Sequence, residues 1–331
     1  MAAAKLPRDS AGSFELHGGT GPILAMVPLD HFMEVYKVDA RFRCTTPDGV
    51  DPKRTNPNAL WVNVHLDDVG TRNPIIARVL LQADELVKVG ACADQLDRTT
   101  FMKRINSCKE SLIVCERVLK RIESSYDEIV QRIKTQGVSM DKRGRGLSGL
   151  PQIPELDANV SLFLSHGKKA LAEISKLPSV RFPIPAKDSN FEFLLKRLEP
   201  ILPADNDLVA MIRQCAPMVK RIIDLRNGLE HPHGATATTV TNFHLAPDNS
   251  IHAPDWRIGD DQTQPVVQEM RVAYQFLIDV AEAMIVLLIK NSLSAKFPWI
   301  LIEKSEDQVN EDIPTRFGIT IDTVKLGLPQ G

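Results

Sequence analysis

The sequence lacks an excess of charge of either sign, since 40 Lys and Arg face 42 Asp and Glu, for a formal net charge of −2. A global electrostatic attraction to nucleic acid is therefore excluded, and any such contact has to depend on a local basic patch. The five cysteines are scattered along the 331 residues without a Cys-x-x-Cys pair. This pattern predicts reduced, mostly buried thiols in a cytoplasmic protein.

Long uninterrupted apolar runs are also missing. Residues 1–21 contain no run that fits a signal peptide. The most apolar segment, Val272–Ile289, has four charged residues in or around it, namely Arg271, Asp279, Glu282 and Lys290. These charges favour a buried core helix over a membrane span. We therefore expect no membrane contact.

Several common enzyme motifs are absent as well. The sequence contains no phosphate loop ending in Gly-Lys-Ser/Thr, no Gly-x-Ser-x-Gly, no His-Glu-x-x-His and no dinucleotide fingerprint after a strand. Each of these absences argues only against the enzyme class that carries the motif. We expect neither a cofactor nor a bound metal.

Helical periodicity dominates what is present. From Phe101 to Ile133 apolar residues recur in unbroken four-three alternation, which predicts a long helix packed lengthwise against others. Shorter stripes of the same kind predict further helices, over residues 73–87, 156–177, 190–198, 205–231 and 266–288.

Period-two alternation predicts a few strands. It runs from Tyr36 to Cys44 and again from Leu60 to Leu66, which indicates two antiparallel strands joined by a long loop. The predicted fold is mainly α (α+β), an antiparallel bundle of long helices with small β-hairpin extensions. Its expected parts are a β-rich extension packed on the bundle (1–70), a helical domain with a hairpin inserted at about 235–262 (71–298) and a strand-like tail (299–331).

A guanidinium interrupts one apolar stripe. Continuing that stripe places Arg226 and Leu229 in the next buried positions; its earlier members are Leu208, Ile212, Cys215, Val219 and Ile222. Because burying an unpaired guanidinium is costly, Arg226 needs a partner, a ligand or a wet cleft.

Two further polar residues follow Arg226 before Pro232 stops the helix. On an ideal helix Arg226 and His231 point about 140° apart. Asn227 and His231 can instead share one face, and Arg226 can share another with Glu230. This geometry suits a site completed by a second copy of the chain across a two-fold axis.

The segment 226–231 reads Arg-Asn-Gly-Leu-Glu-His and resembles the Arg-Asn-x-x-x-His motif of the HEPN superfamily. Members of that superfamily are helical bundles, commonly homodimers, and many are metal-independent endoribonucleases of toxin–antitoxin or antiviral defence systems. The resemblance implies that Arg226 and His231 form a catalytic pair supported by Asn227, that RNA is the substrate and that an antitoxin or regulatory protein is a possible partner. Glu230 and His233 are auxiliary candidates, and Gly228 weakens the helix inside the motif.

Two other interpretations stay open. Arg226 and Glu230 can form an ordinary i,i+4 ion pair, and a histidine near a helix C-terminus is favoured by the macrodipole. The segment would then only end a helix in an interaction or scaffold protein. A non-catalytic HEPN-like module that binds a nucleotide or RNA is the second interpretation.

Local basic charge offers a surface for a polyanion. Residues 98–145 contain twelve Lys and Arg against six acids, without the interleaved aromatics that stack bases. The Gly-rich loop 137–156 contains three of these cations, the candidate RNA-binding residues Lys142, Arg143 and Arg145.

Four histidines and one aspartate in or after the motif suggest a metal site only weakly, because they have no compact ligand spacing. They are His231, His233, His244, His252 and Asp255.

Overall fold

The chain folds into a mixed α+β protein, about 49% helix and 17% strand. The computed structural model describes residues 6–9, 15–30, 32–92, 96–140, 142–143, 146–147, 149–186 and 190–323. Two compact units interleave along the sequence. The first comprises Met1–Lys109, Leu177–Pro183 and Glu282–Gly331, and the second Glu110–Lys176 and Ile184–Ala281. The domain limits predicted at residues 70 and 298 stay a prediction.

A four-stranded antiparallel sheet opens the first unit, in the order β1 (Ala25–Leu29), β2 (Phe32–Tyr36), β3 (Arg41–Thr45) and β4 (Val62–Asp67). The single strand predicted from Tyr36 to Cys44 is wrong, because a turn separates β2 from β3. In that turn the Lys37 amide donates to the Ala40 carbonyl at 2.9 Å. The residue pattern hides the turn, since Ala40 is buried there and so continues the apolar alternation. The predicted pairing across the long loop is confirmed, because β3 pairs antiparallel with β4.

A carboxylate is completely buried in this sheet. Glu34 of β2 accepts hydrogen bonds from the Lys109 ammonium and from the Tyr36 hydroxyl, and all three residues are 0% exposed. The second carboxylate oxygen of Glu34 lies 3.8 Å from the Arg41 guanidinium and 3.6 Å from that of Arg43. The Glu34 carboxylate therefore faces three cations, of which Lys109 is completely buried, Arg41 also pairs with Asp67 at 2.7 Å and Arg43 keeps 38% of its side chain exposed.

The remaining elements of the first unit are short. The helix α1 (Pro47–Val50) lies in the loop before β4, and a π-helical turn (Ile75–Leu81) leads into α2 (Gln82–Lys88). The Gln82 side chain accepts from the amides of Arg316 and Phe317 and donates to the Phe317 carbonyl, each at 2.8 Å. These bonds fix α2 to the C-terminal segment, whose strands β10 (Trp299–Glu303) and β11 (Phe317–Ile321) pair antiparallel.

Two long helices match their predictions. The helix α3 (Arg98–Gln136) follows the four-three alternation, and α7 (Val266–Lys290) contains the most apolar segment. By length and composition α7 could cross a membrane, with a mean hydropathy of 2.0 over its most apolar window. However, 61% of that window is buried inside the structure, as is usual for a core helix of a soluble protein.

The second unit contains three more helices and small antiparallel sheets. The helices are α4 (Leu156–Lys176), α5 (Phe191–Leu198) and α6 (Asp207–Glu230). A Cβ at Gly167 of α4 would lie 3.3 Å from Leu277 of α7 and 3.7 Å from Ile222 of α6, so α4 packs closely on both. The strands are β5 (Thr238–Thr241), β6 (His244–Leu245), β7 (Ile251–His252), β8 (Asp255–Ile258) and β9 (Gln264–Pro265). In one sheet β8 lies between β5 and β9, and β6 pairs with β7 in another.

Candidate functional site at the end of helix α6

Helix α6 ends within the Arg-Asn-x-x-x-His motif. Its N-cap is Asn206, one residue inside the predicted range 205–231, and the Asn206 side chain accepts from the Leu208 amide at 2.9 Å. At the other end His231 is the C-cap, and its amide donates to the Asn227 carbonyl at 2.8 Å. The helix stops there because Pro232 follows. The imidazole of His231 is thereby left on the exposed last turn.

The buried face of α6 does not continue through Arg226 and Leu229 as the four-three pattern predicted. It passes through Ile222, Leu225 and Gly228. The prediction placed the next buried residue four positions after Ile222, at Arg226. In the structure it lies three positions after Ile222, at Leu225, and an apolar helical stripe allows either spacing. The Arg226 side chain lies at the margin of this face and keeps 22% of its surface exposed.

Arg226 is held by its own helix. One terminal nitrogen forms an ion pair with Glu230, the i,i+4 pair expected from the spacing, and the other donates to the Asn227 amide oxygen at 3.3 Å. The Nε atom is buried without a hydrogen-bond partner. Within the part of the chain that the structure describes, no hydrogen bond joins Arg226 to His231, as the 140° separation predicts.

Helix α4 extends this polar group. The Ser165 hydroxyl donates to Glu230 at 3.1 Å, and the Lys168 ammonium donates to the Asn227 amide oxygen at 3.2 Å. The five side chains form one connected network, in the order Ser165, Glu230, Arg226, Asn227 and Lys168. Because each member touches the next, changing one changes the orientation of its neighbours.

Asn227 also lines a cavity of about 410 Å³. Asn227 and His231 line it together, as the four-residue spacing predicts. His233, an auxiliary candidate from the sequence, also lines the cavity. The complete lining is Lys220, Asp224, Asn227, Gly228, His231, His233, Thr236 and Ile258.

The charged residues of the cavity form a pair. The Lys220 ammonium donates to the Asp224 carboxylate at 2.5 Å, and this hydrogen bond and charge raise the pKa of Lys220 above its ordinary value. Lys220 therefore stays cationic throughout the neutral range. Together with the two imidazoles and the Asn227 amide, it makes the cavity wall rich in hydrogen-bond donors.

Gly228 has a packing function that its low helix propensity did not indicate. A Cβ there would lie 2.3 Å from the Thr238 hydroxyl, 2.4 Å from the Thr236 carbonyl and 2.8 Å from the Thr238 amide. Only hydrogen fits between α6 and the start of β5 at these distances. Gly228 therefore allows the wall of the cavity that contains Thr236 to lie directly on the motif.

We expect Gly228→Ala to lower the free energy of unfolding by up to about 2 kcal/mol. Overpacking against backbone atoms costs about 1–3 kcal/mol, and the better helix propensity of alanine offsets about 1 kcal/mol of this. Urea denaturation measures the change, and Gly149→Ala is the control, since a Cβ at Gly149 meets nothing within 4 Å. Equal stability of the two variants would show that the contact at Gly228 relaxes freely.

The basic surface is smaller than the sequence suggested. Lys109, one of the twelve Lys and Arg counted over residues 98–145, is completely buried against Glu34. Lys142 and Arg143 are exposed, and Arg145 lies outside the described residues. The candidate RNA-binding loop thus keeps two described cations on the surface.

Three of the residues named for a metal site lie near one another. His244 is 4.0 Å from Asp255, and its ring centroid is 5.4 Å from that of His252. Among the residues that the structure describes, however, no group of three or more His, Cys, Asp or Glu side chains could hold a metal ion. His231 and His233 line the cavity instead.

The sequence interpretation missed four polar residues of this region. Asp224 and Lys220 were detectable, because they lie about one turn and two turns before Asn227 on the same helical face. Ser165 and Lys168 were not, since only the packing of α4 on α6 brings them to the motif.

Comparisons of the chain with protein-family models, with curated proteins and with solved structures found no match.

Proposed function

We propose that the chain is a HEPN-like, metal-independent endoribonuclease whose site is completed by a second copy of the chain. One observation carries the proposal: Asn227 and His231 line a donor-rich cavity while Arg226 occupies the adjacent face of the same helix end. Two such ends related by a two-fold axis can place the arginine of one copy opposite the histidine of the other.

The chemistry needs no metal. The ribose 2′-oxygen attacks the adjacent phosphorus as the bond from phosphorus to the 5′-oxygen breaks, which leaves a 2′,3′-cyclic phosphate and a free 5′-hydroxyl. Imidazole can accept and donate protons near neutral pH, so His231 is the proposed proton-transfer group. Arg226 offers a permanently charged fork for the phosphorane oxygens, and Asn227 offers amide donors.

An exposed basic loop of the chain fits a polyanionic substrate. Lys142 and Arg143 are exposed in the basic loop, and with Arg145 they are the proposed contacts to the RNA backbone. Such contacts position a strand without reading its sequence. We therefore propose that the loop contributes affinity and that the cavity contributes the chemistry.

The architecture belongs to the same proposal. Close packing of α4, α6 and α7 at Gly167 supports an antiparallel bundle of long helices. A cytoplasmic location follows from the scattered, unpaired cysteines. Toxin–antitoxin or antiviral defence, with an antitoxin or regulatory protein as partner, is the setting that the HEPN resemblance implies.

A second candidate function has one observation in its favour. Arg226 is engaged by Glu230 and Asn227 in the single chain, as in the i,i+4 interpretation of the motif. A non-catalytic HEPN-like module that binds RNA or a nucleotide would keep this arrangement when its ligand is bound. Catalysis instead requires that Arg226 exchange Glu230 for a phosphate.

The direct test is cleavage of a mixed panel of single-stranded and structured RNAs in EDTA. The nuclease proposal predicts metal-independent cleavage with 2′,3′-cyclic phosphate ends. Retention of RNA on the protein without any cut would favour the binding module, and the absence of both binding and cleavage would reject the nuclease and an RNA-binding module.

The composite site also predicts the assembly state. At micromolar concentration, sedimentation equilibrium is expected to give twice the 36.8 kDa mass of the chain. A monomer at every concentration that supports cleavage would contradict a site shared between copies, since both residues would then have to act from one chain.

A further inference from the structure

The amide oxygen of Asn227 is held by two cations from two helices. Lys168 of α4 donates to it at 3.2 Å, and Arg226 of α6 donates to it at 3.3 Å. Both are donors without any acceptor, so they can bind only the oxygen of the carboxamide. The side of the amide that contacts α4 is therefore the oxygen side.

This orientation determines what Asn227 offers to the cavity. A carboxamide whose oxygen is occupied presents its NH2 group to its remaining surroundings, and Asn227 lines the cavity with His231, His233 and Lys220. Those neighbours are imidazoles and an ammonium whose pKa is raised by Asp224. A group with several acceptor oxygens, such as a phosphate, matches this set of donors.

We propose that Lys168 is the positioning residue of this site and that it holds the Asn227 amide with its NH2 group directed at a phosphate in the cavity. The inference rests on the proposed function. When Arg226 leaves Asn227 to bind the phosphate, Lys168 still holds the amide oxygen and prevents the amide from turning over. Lys168 acts through Asn227 and does not touch the substrate.

The test compares Lys168→Met, which keeps the aliphatic stem, with Lys168→Arg, which keeps a cationic donor. Lys169→Met is the matched control, because Lys169 is the exposed neighbour on α4 and loses the same charge. Asn227→Asp still accepts from Lys168 but presents no donor. Two quantities are measured on the folded full-length chain: kcat for RNA cleavage in EDTA, and the affinity for orthophosphate by calorimetry.

We expect Lys168→Met to lower kcat and orthophosphate affinity about fivefold to tenfold, the size expected from loss of one well-oriented hydrogen bond. Lys168→Arg is expected to restore most of both, and Lys169→Met to change neither. Asn227→Asp is expected to bind orthophosphate more weakly than Lys168→Met, since its carboxylate repels the anion. Rescue by arginine separates positioning from a general loss of structure.

The two proposals fail in different ways. If wild type cleaves RNA and Lys168→Met matches Lys169→Met in both quantities, the positioning role is overturned and the nuclease assignment stands. If wild type cuts no RNA but binds orthophosphate, and Lys168→Met loses that binding, the nuclease assignment fails and the positioning role stands. Wild type that neither cuts RNA nor binds orthophosphate overturns both.

Discussion

Alanine in place of either Arg226 or His231 is expected to lower metal-independent RNA cleavage by at least about 100-fold. Loss of a positioned proton-transfer group typically costs about 10²–10⁴ in rate, and loss of one group that stabilises the developing charge costs about 10²–10³. The rate of cleavage of a labelled RNA in EDTA measures both, after circular dichroism has shown that each variant folds.

Mixing the two inactive variants distinguishes a composite site from a site within one chain. If Arg226 of one copy acts with His231 of the other, a heterodimer of Arg226→Ala and His231→Ala contains one intact site and one that lacks both residues. Random exchange at equal amounts then restores about a quarter of the wild-type activity. No recovery after exchange would contradict the composite site, because a site within one chain is defective in both variants.

Matched controls exclude a general effect of charge or of a histidine. Arg213 is an exposed arginine of the same helix whose ion pair with Glu199 lies on the surface. His252 is exposed and outside the cavity lining. Arg213→Ala and His252→Ala are expected to cleave RNA like wild type, and a loss in either control equal to that of the motif variants would sink the assignment.

The largest stability change is expected from Glu34→Gln, which should lower the free energy of unfolding by about 3–5 kcal/mol. The substitution keeps the size of the side chain but removes the carboxylate that accepts from Lys109 and that lies 3.8 Å from Arg41 and 3.6 Å from Arg43. Lys109 is then left charged and completely buried beside like charges. Urea denaturation followed by circular dichroism measures the loss.

Two comparisons test the cause of that loss. Glu199→Gln breaks an exposed ion pair with Arg213, so it should cost less than about 1 kcal/mol. The double variant Glu34→Gln with Lys109→Met should recover part of the stability, because it also removes the buried ammonium that Glu34 neutralises. A loss below about 1 kcal/mol for Glu34→Gln would mean that water or a neighbouring group compensates the buried charge.

The position of the motif on α6 could be predicted in part. The i,i+4 pairing of Arg226 with Glu230, and the shared face of Asn227 and His231, follow from helix geometry alone and are present. The buried register was predicted incorrectly at Arg226, since steps of three and four fit the apolar pattern equally well until neighbouring elements pack on the helix. Gly228 was interpreted as a weakness of the helix, although the approach of Thr238 requires it.

The amino-acid sequence by itself determined the long helices, the end of α6 before Pro232 and the two faces of its last turn, because these depend on residues a few positions apart. Tertiary structure alone decided that Lys168 meets Asn227 and that Lys109 is buried against Glu34 and is not part of a basic surface. Those pairs join residues 59 and 75 positions apart. Local periodicity contains no information on such contacts, since they exist only after helices and strands have packed together.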